Sequence, residues 1–138
     1  MASILKVDTI TGVATAGSIA ITGVGNSTTT NLQQGLAKAW HNAASNGASV
    51  NDSLNMSSYT DTGTGDGLHN FTSNMGNVNY ATMSKVLMNT GATSSHRTIY
   101  TSTQATGSYS EESYYLNGAA ELVVEDRQRL SVAHGDLA

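Results

Sequence analysis

The first forty residues hold too little apolar surface to fold alone, and this limits every architecture open to the chain. Residues 3–10 (SILKVDTI) alternate apolar and polar side chains as a strand does, and residues 18–24 (SIAITGV) do so again. A Gly-, Ala- and Thr-rich stretch separates them, and one short helical pattern ending at Trp40 follows. None of these pieces buries enough to offset the entropy of ordering its backbone. Such a segment gains order by pairing with copies of itself or with another protein. That points to an assembly component rather than a free-standing enzyme.

Composition sharpens this. Of 138 residues only 12% are charged and 38% hydrophobic, while Ser, Thr and Asn make up roughly a third. Disordered chains gain their polarity from Lys, Glu and Pro; here Pro is absent, and Tyr, Thr, Val and Ile are available for strands. The chain reads as a polar β protein. A small domain with so little apolar material is marginal alone, and association with identical copies adds buried area without adding sequence. A net charge of −4, with six Lys and Arg that form no stripe, excludes nucleic acid as the main partner. The absence of Cys removes disulfides and thiolate metal sites. No apolar run is long enough to span a membrane, and the N-terminus lacks the basic start and apolar core of a secretory signal. A protein made in a cytoplasm and used unprocessed is expected.

Thr30 followed by Gln33 fits a capping box, and Leu32, Leu36, Ala39 and Trp40 then recur at helical spacing, with Gly35 weakening the helix. This helix either packs closely on symmetry mates or covers one end of the following domain. The break at residues 42–47 (NAASNG) marks a domain boundary, giving an assembly segment over 1–46 and a β domain over 47–138. Strands are predicted over 49–57, 68–72, 77–89 (ending at a turn at Thr90 and Gly91), 97–103 and 112–116. A final strand-rich segment spans 120–133, broken around 125–128. Residues 61–67 (DTGTGDG) connect two antiparallel strands. Short strands at regular spacing predict an antiparallel sandwich.

Several stretches taken together resemble one family, the small fibre-type virion proteins of tailed bacteriophages, particularly those of marine bacteria. They are SILKVDTITG at the start, GNSTTTNLQQGLAKAW at 25–40, DSLNMSS and TDTGTGDGLHNFTSNM within 52–75, NYATM near Tyr80, and the terminal GDLA. The resemblance keeps its order over most of the chain and weakens between Gly91 and Asn117. Two departures stand out: residues 41–47 (HNAASNG) replace an aromatic-containing loop after the Trp, and Gly67-Leu68-His69 stands where a Tyr-Thr-Val-like strand is usual.

The resemblance implies a non-enzymatic homotrimer in the virion, with N-terminal strands and helix packed about a threefold axis and a β domain turned to the host. It implies contacts with other virion proteins and with a glycan or protein receptor. On this picture Leu5, Val7, Ile19, Ile21, Leu32, Leu36 and Trp40 form the oligomer interface. A tail fibre or tail-associated adhesin is expected, with a head fibre or capsid decoration protein as the alternative favoured by short length. Tyr100, Tyr109, Tyr114 and Tyr115, among small polar residues, form a candidate receptor surface, or else lie between sheets or subunits.

Catalytic chemistry finds little support. Asp61-Thr62-Gly63 matches the triplet of retroviral-type aspartic proteases, but SSYT at 57–60 replaces the apolar strand that should precede it. Asp61 and Asp66 could offer oxygens to Ca²⁺, yet the other carboxylates of a calcium loop are missing. His41, His69, His96 and His134 are scattered, with no spacing typical of zinc enzymes. Only His41 and His134 are candidates for a cation on a symmetry axis. The acidic residues near Glu111-Glu112 and in EDRQR (125–129) read as solvated or subunit contacts. The sequons at Asn26, Asn51, Asn55 and Asn70 follow from composition. No catalytic residue, cofactor or metal is expected. A glycan depolymerase remains the contrasting enzyme class.

Overall fold

The computed structural model of the protein describes residues 6–11, 19–22, 29–44, 49–87 and 96–138. The chain is mainly β with antiparallel sheets, and it divides into two units, Met1–Leu36 and Ala37–Ala138.

In the first unit β1 (Ala20–Thr22) pairs antiparallel with β2 (Thr29–Asn31), and the Leu32 amide donates to the Ile19 carbonyl at 2.9 Å. A single helical turn, α1 (Leu32–Gly35), follows. Two expectations change here. Residues 6–10 of the anticipated first strand adopt no strand pairing, and residues 3–5, with Leu5, lie outside the described residues. The helix stops at Gly35 instead of reaching Trp40, because Ala39–Ala43 satisfies its backbone in a sheet as β3. The helical spacing of Leu32, Leu36 and Trp40 was accidental.

Among the described residues, the second unit holds two sheets. One runs β4 (Val50–Leu54), β3, β11 (Arg129–His134), β7 (Ala81–Val86). In the other, β9 (Ser108–Leu116) is the hub. It pairs with β8 (Arg97–Ala105) along its length, with β6 (Asp66–Phe71) over its first half, and with β10 (Leu122–Val124) over its last three residues. Strand β5 (Met56–Gly63) continues the sheet beyond β6.

The two compact units meet between Leu36 and Ala37, and β3 runs through Ala43, where the Ala44 amide donates to the Ser49 carbonyl. Residues 45–47 of the 42–47 break lie outside the described residues. The predicted strand over 49–57 splits at Asn55, whose φ of 55° is a conformation that Asn tolerates better than most residues. Its side chain grips both polar groups of Ser73, accepting from the amide at 2.7 Å and donating to the carbonyl at 3.0 Å. The chain thereby leaves one sheet as β4 and enters the other as β5. The predicted strand over 77–89 shortens to β7, since Asn77 turns back to accept from the Asn79 amide; its expected turn at Thr90 and Gly91 lies outside the described residues. The break at 125–128 falls where expected. It is pinned by the Glu125 amide on the Ser113 carbonyl and by Arg97 and Arg127 on the Glu125 carboxylate.

Alternation sets the interior. Ala39, His41 and Ala43 on β3, Gly67, His69 and Phe71 on β6, Tyr109, Glu111 and Ser113 on β9, and Arg129, Ser131 and Ala133 on β11 all point inward. At one end these residues, with Met75 and Tyr80, form an apolar cluster in which Phe71 meets Tyr80 edge-on at 5.7 Å. At the other end the interior is polar.

Gly65, in the β5–β6 turn, anchors that polar end. Its amide donates to Asp126 Oδ1 at 2.7 Å, and its carbonyl accepts from Arg129 and the Ser113 amide. Its φ is +79°, and a Cβ there would lie 2.8 Å from the Ser113 carbonyl oxygen. Gly65→Ala is therefore expected to cost about 2–4 kcal/mol, from backbone strain and overlap together. Urea denaturation measures this directly, and a loss under 1 kcal/mol would contradict it.

Candidate buried His–Glu centre

Four strands bring the polar interior together. β3 supplies His41, β6 supplies His69, β9 supplies Glu111, and β11 supplies Arg129 and Ser131, all buried. Ser84 of β7 reaches the same place. Register explains the convergence: Ser131 sits between His41 and Ser84 in one sheet, while in the other His69 is flanked by Tyr59 and Tyr109, and Gly67 stands opposite Glu111.

The Glu111 carboxylate accepts from the Ser84 hydroxyl and from the Ser131 hydroxyl, which lies 2.9 Å from both oxygens. Nε2 of His69 lies 3.3 Å from Oε2 of Glu111, within ionic reach but outside hydrogen-bond geometry. The His41 and His69 rings are 4.2 Å apart, and His69 stacks on Tyr109 at 4.6 Å. Nδ1 of His41 faces the Tyr109 hydroxyl at 3.3 Å. Among the described residues, Nε2 of His41 and both nitrogens of His69 have no hydrogen-bond partner.

The Tyr59 ring and the Arg129 guanidinium together fill the space that glycine leaves at position 67. The guanidinium donates to the carbonyls of Gly65 (2.5 Å) and Glu111 (3.3 Å) and to the Ser113 hydroxyl (3.1 Å), and it lies over the Tyr59 ring. It is a buried cation whose hydrogen bonds run to carbonyls and a hydroxyl, not to a carboxylate.

Burial, with His69 and Arg129 adding to it, lowers the His41 pKa to about 3 although Glu111 pulls the other way. Burial lowers His69 as well, against the pull of Glu111. Burial alone would raise Glu111, but the adjacent His69 and the hydrogen bonds from Ser84 and Ser131 outweigh it and leave the carboxyl below its usual range. At neutral pH the centre thus holds one carboxylate, one guanidinium and two neutral imidazoles. Neutral imidazoles with free lone pairs beside a carboxylate can ligate a metal or hold a proton. With all three buried, the centre presents no surface to a large substrate.

The sequence-predicted site residues fall elsewhere. Tyr109 is 1% exposed and belongs to the core, not to a receptor surface. Alternation separates the other tyrosines: Tyr100 and Tyr114 meet edge-on at 5.8 Å on the face of Glu112, whereas Tyr115 takes the opposite face of β9. His41 points into its own chain, which removes it as an axial cation ligand, and half-buried His134 ends β11. Asp61 is an exposed strand residue that accepts from the Gly63 amide. Among the anticipated interface residues, Val7, Ile21 and Leu36 are each more than half exposed in the single chain, Ile19 and Leu32 are half-buried, and Trp40 lies on the outer face of its sheet.

The His–Glu centre escaped sequence reading because its members are far apart in the chain. The available signal was parity: each polar residue stands two positions from small or aromatic inward residues, as in Ala39-x-His41-x-Ala43 and Gly67-x-His69-x-Phe71. Compared with known proteins, the chain matches no family model, no curated protein and no solved structure.

Proposed function

We propose that this chain is a non-enzymatic, homotrimeric structural protein of a bacteriophage virion, a tail fibre or tail-associated adhesin whose distal domain is a β-sandwich. The sequence resemblance supplies the virion. The observation that carries the oligomer is an apolar row across the outer face of one sheet. Leu54, Trp40, Val132 and Met83 stand in register on β4, β3, β11 and β7, with Met83 69% exposed. The neighbouring row, Asp52, Asn42, Leu130 and Lys85, ends in opposite charges. A cavity of about 360 Å³ opens here, lined by Trp40, Met83, Leu130 and Val132 among others. In so polar a chain, an apolar face four strands wide with a charged rim suits a second copy. Exposed Val7, Ile10, Ile21 and Leu36 in the first unit support the same reading. Tyr100 and Tyr114 are the better receptor candidates, since their face is outward. A head fibre or capsid decoration protein is the second placement.

Light scattering coupled to size exclusion tests the oligomer. Wild type is expected at three times the chain mass, and Trp40→Asp or Met83→Asp at the mass of a monomer with unchanged circular dichroism, because either places a charge in the seam. A monomeric wild type, or a variant that stays trimeric, would refute the interface. Copy number per particle, low for a tail and high for a capsid, decides the placement; absence from particles would refute the virion assignment.

A further inference from the structure

We propose that His41, His69 and Glu111 form a structural site for a divalent transition metal of the zinc class, which staples the two sheets together. Their ligand atoms lie within 4.8 Å of one another, and all three residues are buried. A tetrahedral zinc ion with bonds of about 2.0–2.1 Å brings its ligands to roughly 3.3 Å from each other, within reach of modest side-chain rotation.

Three observations point to a metal rather than to an ordinary polar core. First, buried polar atoms nearly always have partners. Here Nε2 of His41 and both nitrogens of His69 have none among the described residues. Second, the outer atoms are arranged as around a metal. His41 Nδ1 faces the Tyr109 hydroxyl, and Ser131 with Ser84 holds the Glu111 carboxylate. With Nδ1–H donating to Tyr109, the lone pair of His41 is placed on Nε2, the free atom; a second contact of this kind is what fixes a ligating imidazole. Third, the ligands come from both sheets: β3 from one, β6 and β9 from the other. A chain with no Cys and a small apolar cluster gains from a cross-link of this sort.

The ligand chemistry narrows the ion. Two imidazoles and one carboxylate suit zinc, cobalt or nickel better than magnesium or calcium, which prefer oxygen. The Arg129 guanidinium places a positive charge beside the site, so affinity falls below that of a closed structural zinc site. With the ligands buried, loading accompanies folding.

The full chain, refolded from guanidinium with ZnCl₂, CoCl₂, MgCl₂ or EDTA and then dialysed, tests the site. Zinc refolding is expected to leave one metal per chain by elemental analysis and to raise the melting temperature by about 5 °C or more over EDTA. Cobalt is expected to give the visible bands of a tetrahedral centre, and magnesium no shift. His41→Val, which replaces one ligand by an apolar side chain, should stay folded and retain less than a tenth of the metal; Glu111→Gln should act likewise. A double change of His96→Gln and His134→Gln should retain it fully. Sub-stoichiometric zinc with no thermal shift in the wild type would overturn the proposal. So would metal that survives His41→Val or disappears with His96 and His134. None of these outcomes depends on oligomeric state or on the virion.

Discussion

Replacing Arg129 by Met is expected to lower stability by about 3–5 kcal/mol, because several buried acceptors lose a charged donor at once. Arg129 is 1% exposed, and its guanidinium serves three acceptors on β9 and the β5–β6 turn: the carbonyls of Glu111 and Gly65 and the Ser113 hydroxyl. Methionine fills part of the volume but leaves those acceptors unserved and removes a buried cation near Glu111. Lysine should not rescue it, because a single ammonium cannot reproduce the fork that spans Gly65 and Ser113. The double variant with Glu111→Gln separates the two causes. If charge balance matters, it should be more stable than the sum of the single losses predicts, by at least about 1 kcal/mol. Urea midpoints of the four proteins, read by tryptophan fluorescence from Trp40, check this. Strict additivity would mean that Arg129 acts through its carbonyl contacts alone, and a single-variant loss below 1 kcal/mol would remove it from the framework.

The pattern of residues carried the second unit further than the first. Alternation and turn chemistry placed the β6, β7, β8, β9 and β11 regions and the break at 125–128, because each strand has one buried face and a one-residue slip would expose it. The misreadings share a physical origin. Trp40 was assigned to a helix because Leu32, Leu36 and Trp40 fit a period of 3.6, but the ladder from β3 to β4 and β11 offers its backbone more partners than a Gly-weakened helix can. The split at Asn55 depends on a side chain that bonds Ser73, eighteen residues away, which no local window contains. The buried centre was invisible for a related reason. A histidine alternating with alanine reads as a surface residue until the partner sheet supplies Glu111. Tyr109 misled in the same way, since its neighbours Ser108 and Ser110 make it resemble a recognition loop. In a chain this polar, inward and outward faces differ little in composition, and parity says more than hydropathy does.

Acid should unfold this protein earlier than its composition suggests. Native His41 has its pKa depressed to about 3 and His69 is shifted in the same direction, whereas both titrate near 6.5 once unfolded. Above about pH 7 both states are neutral and the pair contributes no pH dependence. As pH falls below 6.5 the unfolded chain takes up protons that the native chain refuses, so the balance moves toward unfolding. His41 alone should remove roughly 3 kcal/mol by pH 4, with His69 adding to the loss. Glu111, held below the usual carboxylate range, works in the same direction: its stabilisation is present above the unfolded carboxyl pKa and is lost as pH drops through the native one. Urea midpoints measured in EDTA at pH 8, 7, 6, 5 and 4 should therefore be level at the alkaline end and fall steadily from about pH 6. His41→Val removes one of these buried bases and leaves no charge behind. It should match the wild type near pH 7 and exceed it at pH 4–5. A wild-type midpoint that holds steady from pH 7 to 5 would mean the imidazoles are solvated and protonate freely, and the buried centre would then not exist in solution.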